Sequence, residues 1–133
     1  MEGTGARARP AGDQSVAGEG RVRVMIVVDE PTSLRQSVER LVDARVVSVT
    51  SAIEALAEGT PDGFDVFLLE HQRSDLDGLT LGTMIREINP EARLVLIDGC
   101  GDPKIEELAL ELGFYAVLTR PVQHRDLQPV VAL

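Results

Sequence analysis

Charged residues close four apolar runs of this chain. Asp29 and Glu30 follow Val24–Val28, Glu70 follows Val66–Leu69, Asp98 follows Leu94–Ile97, and Arg120-Pro121 follows Val117–Thr119. Carboxylates gathered with one basic side chain are the chemistry of a site that holds a hard cation such as Mg²⁺ and handles phosphate. The acids outnumber Arg120, so a shared cleft would be strongly negative. Such a cluster must bind a cation, raise a carboxyl pKa or pair internally. The planar guanidinium of Arg120 suits a carboxylate partner better than a lysine point charge does.

For these residues to meet, the apolar runs must be neighbouring strands. The run at 21–28 is β-branched and continuous, as a strand buried on both faces is. Residues 34, 38, 41 and 42 repeat at helical spacing after Pro31. Val46, Val47 and Val49 form a short second strand. Ser51-Ala52-Ile53-Glu54 reads as a capping box opening a helix that ends near Glu58. Phe64–Leu69 is a third strand, and 79–88 is a helix stopped by Asn89-Pro90. Residues 92–97 form the fourth strand, followed by a flexible Gly99-Cys100-Gly101 loop. Asp102-Pro103 starts a helix to about Leu112, with Gly113 as its C-cap. A fifth strand spans 115–119. A last short helix over 124–132 accommodates Pro129 only in its first turn. Residues 1–20 lack periodicity and large apolar side chains and read as a disordered tail, leaving one domain over 21–133. Alternating strands and helices imply an α/β fold with a parallel sheet covered on both faces.

Composition narrows the function classes. The formal net charge of −9 argues against direct nucleic-acid or anionic-membrane binding. With three Phe, one Tyr and no Trp, there is no base-stacking platform. A single cysteine, Cys100, excludes an internal disulfide and a cysteine metal cage. No apolar run approaches the roughly 20 residues of a spanning helix. No signal peptide is evident, and the expected location is the cytoplasm.

Five landmarks occur in order: Val28-Asp29-Glu30, Asp65–Glu70, Asp77-Gly78-Leu79, Asp98-Gly99 and Leu118-Thr119-Arg120-Pro121. Together they resemble the receiver domain of two-component response regulators over about residues 21–133. The resemblance implies a flavodoxin-like, doubly wound five-stranded sheet of order 2-1-3-4-5. It also assigns roles. Asp29 and Glu30 stand where two acids hold Mg²⁺, with Glu30 in place of the usual second Asp, and Glu70 would complete that metal site. Glu70 replaces the aspartate that accepts a phosphoryl group. Asp98 replaces a Ser or Thr that hydrogen-bonds it, and Arg120 replaces a Lys that neutralises it. Val117 falls on the position of an aromatic rotamer switch. Gln72-Arg73-Ser74 departs from the family's Met-Pro or similar pair.

These replacements change the chemistry. Glu70 is one methylene longer than Asp, which moves its carboxylate by roughly 1–1.5 Å, and such misplacement can cost ~10²-fold in rate. Its longer arm carries negative charge toward the place of a phosphoryl group, a partial imitation of phosphoaspartate. Ionised Asp98 cannot donate to a phosphoryl oxygen. Arg120 is expected to bridge Glu70 or Asp98.

The expected function is therefore an atypical stand-alone receiver, not an enzyme, with no required cofactor. It would signal through contacts with a histidine kinase, regulator or output protein, or with a second copy. Two alternatives stay open. One is a receiver still phosphorylated with Mg²⁺. The other is a metal-dependent phosphoryl-transfer enzyme using Asp29, Glu30, Asp75 and Asp77. His71 and His124 read as surface histidines, and Cys100 as a small loop residue.

Overall fold

The computed structural model describes residues 21–132, and the reading of residues 1–20 as a disordered tail lies outside them. Strands and helices alternate: β1 Val22–Val27, α1 Thr32–Leu41, β2 Ala44–Val49, α2 Ala52–Glu58, β3 Val66–Glu70, α3 Gly78–Ile88, β4 Arg93–Asp98, α4 Pro103–Glu111, β5 Ala116–Thr119 and α5 His124–Val131. The five strands form one parallel sheet in the order β2-β1-β3-β4-β5. This is the flavodoxin-like, doubly wound arrangement expected from the sequence.

Side-chain alternation along the strands divides the core between the two faces of the sheet. Met25, Val27, Phe67, Leu69, Leu94 and Leu96 pack with α2, α3 and α4 through Ala55, Leu81, Ile85 and Ala109. Val24, Ile26, Leu68, Val95 and Ile97 pack with α1 and α5 through Leu34, Val38, Leu127, Val130 and Val131. Because both faces are covered, both parities of each central strand are apolar, which explains the continuous runs.

Local signals fix the helix ends. Ser51 Oγ accepts from the Glu54 N–H, Asp77 from the Thr80 N–H and Asp102 from the Lys104 N–H. Gly113 follows α4 with φ +93°, a conformation that L side chains rarely adopt. Helix α5 departs from expectation, since Pro129 is its sixth residue and lies outside the first turn. Proline inside a helix costs about 3 kcal/mol. Burial of Leu127, Val130 and Val131 offsets this at about 1.5–3 kcal/mol per side chain. The Arg93 guanidinium also donates to the Val130 and Ala132 carbonyls at 3.1 and 2.8 Å, tying the helix end to β4.

Candidate functional site

Strand order reverses about β1, whose two neighbours are reached by connections running in opposite directions. That reversal opens a crevice at the carboxyl ends of β1 and β3, where open α/β sheets bind ligands. Asp29 and Glu30 leave β1 there, Glu70 ends β3, Asp98 ends β4, and Arg120 follows β5. The Arg120–Pro121 peptide bond is cis.

Glu70 is central to the arrangement. Its Oε1 accepts from the Asp29 backbone N–H at 2.9 Å, and its Oε2 accepts from Arg120 Nη2 at 3.1 Å. The Glu70 side chain is 14% exposed and that of Arg120 41%, so the pair lies at the rim with its acid largely covered. Of the two partners foreseen for Arg120, Glu70 is the one it meets.

Asp98 forms a separate centre. It is only 1% exposed, yet it accepts three hydrogen bonds: from Gln72 Nε2 at 2.7 Å, the Cys100 N–H at 3.0 Å and the Asp102 N–H at 2.9 Å. Burial opposes its charge, but the Gln72 amide and the two backbone donors outweigh burial and hold the carboxyl below its ordinary range. The Gln72 amide oxygen accepts from the Gly99 N–H at 3.0 Å. The 99–101 segment, expected to be a flexible loop, is thus tied down by side chains on both sides.

The three acids proposed for Mg²⁺ do not converge. Glu30 turns to its own helix and accepts from the Thr32 N–H at 3.0 Å, which lowers its pKa. Both Glu70 oxygens have other partners, one of them a cation. Among the described residues, no group of three or more His, Cys, Asp or Glu side chains is placed to hold a metal ion. As arranged, the donor set does not fit Mg²⁺.

Asp75 and Asp77, the further acids of the enzyme alternative, serve the backbone. Asp75 Oδ2 accepts from the Ala52 N–H at the start of α2, and its Oδ1 pairs with Arg73 Nη2 at 2.8 Å. The Ala52 contact is the main cause of the lowered Asp75 pKa. Asp77 caps α3 through the Thr80 N–H and hydroxyl.

Two features escaped the sequence reading. Gln72 registered only as a departure from a pattern, although its amide joins two loops. His71 is half-buried and not a freely exposed histidine, its side chain being 17% exposed. Its backbone extends the β3–β4 ladder through a bond to the Ile97 carbonyl, which draws the side chain inward. Its Nδ1 lies 3.9 Å from Asp77 Oδ1. Cys100 lies exposed in the loop after β4, and Val117 lies half-buried in β5. Among the described residues, no helix is long and apolar enough to cross a membrane.

The family described as the response regulator receiver domain matches residues 24–132. The cyclic di-GMP phosphodiesterase response regulator RpfG of Xanthomonas campestris is 24% identical over 111 residues, 78% of this chain and 29% of that protein. Nodulation protein W of Bradyrhizobium diazoefficiens is 28% identical over 111 residues, 81% of this chain and 49% of that protein. The chain spans less than half the length of either. A response regulator receiver domain protein from Clostridium thermocellum superposes with a TM-score of 0.75 at 23% identity, over 83% of this chain and 90% of that one. A response regulator from Burkholderia pseudomallei, solved with a phosphorylated aspartic acid, calcium ion and citrate, gives 0.73 at 18% identity, over 84% and 66%. At these identities the structural likeness establishes the fold alone.

Proposed function

The chain belongs to the response regulator receiver domain family of two-component signalling, and from that membership we propose that it is an atypical receiver that signals without aspartyl phosphorylation. The observation that carries this reading is the engagement of Glu70. The residue in the acceptor's place is a glutamate, with one oxygen bonded to the Asp29 N–H and the other to Arg120. Attack on a phosphoryl donor needs a free carboxylate oxygen in line with phosphorus and a cation to offset the charge. Here the resident cation is Arg120, and it already neutralises Glu70.

Asp98 supports the same reading. Its ionised carboxylate offers no proton to a phosphoryl oxygen and would repel it. On this reading Mg²⁺ is not required, and the acids after β1 belong to the frame of the crevice. Output then rests on protein contact with a histidine kinase, a regulator, an output protein or a second copy of this chain. Leu108, Leu110 and Leu112 on and after α4, with Tyr115 before β5, are exposed apolar groups beside Glu106, Glu107 and Glu111. Such a surface suits a protein partner better than nucleic acid, which the net charge of −9 disfavours.

The test is intact mass after incubation with acetyl phosphate and Mg²⁺, with a Glu70→Asp variant in parallel. The expected result is no mass gain for the natural chain. One labile phosphoryl group on the natural chain would overturn the proposal.

A further inference from the structure

The ends of β3 and β4 are joined by a side chain that is neither an acid nor a base. The Gln72 amide spans the gap in both directions, with Nε2 donating to Asp98 Oδ1 at 2.7 Å and Oε1 accepting from the Gly99 N–H at 3.0 Å. Asp98 then uses Oδ1 for the Cys100 N–H and Oδ2 for the Asp102 N–H. Three of the N–H groups between Asp98 and α4 therefore end on two side chains. The intervening Gly101 has φ +67°, and a Cβ there would meet Thr119 Cγ2 at 3.2 Å. Asp102 in turn caps α4 through the Lys104 N–H, so the chain of bonds runs unbroken from the β3–α3 loop into α4.

We propose that Gln72 and Asp98 form a built-in latch that holds the β4–α4 loop and the start of α4 in one conformation without any bound ligand. The argument is one of donors and acceptors. A ligand that captured this loop through its backbone would have to compete for the N–H groups of Gly99, Cys100 and Asp102, which are already committed. Asp98 at 1% exposure cannot exchange these partners for water without opening the loop. Hydrogen bonds to a buried ion are among the stronger ones, and the amide of Gln72 is the only side-chain donor Asp98 has among the described residues. This deepens the proposed phosphorylation-independent reading, but it stands on bonds that do not involve Glu70.

Amide hydrogen exchange on the full chain, without phosphoryl donor or Mg²⁺, tests the latch. In the natural chain the Gly99, Cys100 and Asp102 amides are expected to exchange at least about tenfold more slowly than in an unstructured peptide. Gln72→Ala removes the amide bonds to Asp98, Gly99 and the Cys100 Sγ with no change of charge and should speed exchange at Gly99 and Cys100 by about tenfold. The Leu69 and Ile97 amides, inside the sheet, report whether that variant stays folded. Gln72→Glu is the second variant, because it keeps the length of the arm and sets a carboxylate against Asp98. It should free the same amides. Unstructured exchange rates at these amides in the natural chain would overturn the latch, and so would unchanged rates in both variants. Phosphoryl uptake is read separately by mass, so failure of the latch and failure of the proposed function are distinguishable.

Discussion

Glu70 Oε2 lies 3.1 Å from Arg120 Nη2, across 50 residues of sequence, and joins the end of β3 to the segment that follows β5. The same glutamate takes the Asp29 N–H on its other oxygen. One side chain at the end of β3 therefore reaches the segments that follow β1 and β5.

Loss of this contact should be modest in energy. The pair is partly exposed, and such pairs contribute up to about 1 kcal/mol. Arg120→Ala is expected to lower stability by about 1 kcal/mol, and Arg120→Ala combined with Glu70→Gln should cost less than the sum of the two. A denaturant double-mutant cycle checks this, and a coupling indistinguishable from zero would count against the pair.

Asp98 predicts an acid dependence with a definite sign. Its folded pKa is depressed, by the balance in which the Gln72 and backbone donors outweigh burial. The unfolded value is about 3.9. Its stabilisation is thus complete above that value and is lost as pH falls through the lower folded value. Asp98→Asn should be less stable near neutrality by about 1–3 kcal/mol. It should also lose less stability than the natural chain on acidification below about pH 4. Parallel slopes in urea titrations at several pH values would contradict this.

Asp75 is read as a joint between the β3–α3 loop and α2. Asp75→Ala removes an acceptor from the Ala52 N–H and from Arg73, whose side chain is 2% exposed. A loss of about 2 kcal/mol is expected, from an N-terminal acceptor of about 1 kcal/mol and an uncompensated buried guanidinium. The melting temperature should fall alike with and without Mg²⁺. A fall seen only with Mg²⁺ would instead favour a ligand role.

Gly78 supports Glu70 from behind. A Cβ at that position would lie 2.6 Å from the Glu70 carbonyl oxygen and 2.6 Å from Leu96 Cδ1. Alanine gains up to about 1 kcal/mol of helix propensity over glycine, whereas overpacking costs about 1–3 kcal/mol. Gly78→Ala is therefore expected to destabilise, and a raised melting temperature would show that the site relaxes freely.

The elements were legible because their signals are local. Continuous apolar strands, Asp102-Pro103 before α4 and Gly113 after it each lie within a few residues of what they specify. The landmarks at the strand ends point to the meeting of Glu70 with Asp29 and Arg120, whereas Asp98 forms a centre of its own. Partner choice was less accessible. Asp98 is 26 residues from Gln72, and Arg93 is 37 residues from the Val130 carbonyl it caps. No periodicity encodes such pairs. A buried acid at a strand end demands donors, and a glutamine two residues beyond the neighbouring strand was the available signal. His71 was misjudged because its polarity suggested solvent, while its backbone continues the β3–β4 ladder. Pro129 was misplaced because propensity outweighed the burial of Leu127, Val130 and Val131.

The packing of α5 against α1 sets an order of events during synthesis. Strands β1, β2 and β3 can pair once Glu70 has left the ribosome. Leu34 and Val38 of α1 pack with Val24 and Ile26 early, but the layer they share with Leu68 is completed only by Leu127, Val130 and Val131. At typical elongation rates of about 5–20 residues per second, that layer stays incomplete for several seconds in each nascent chain.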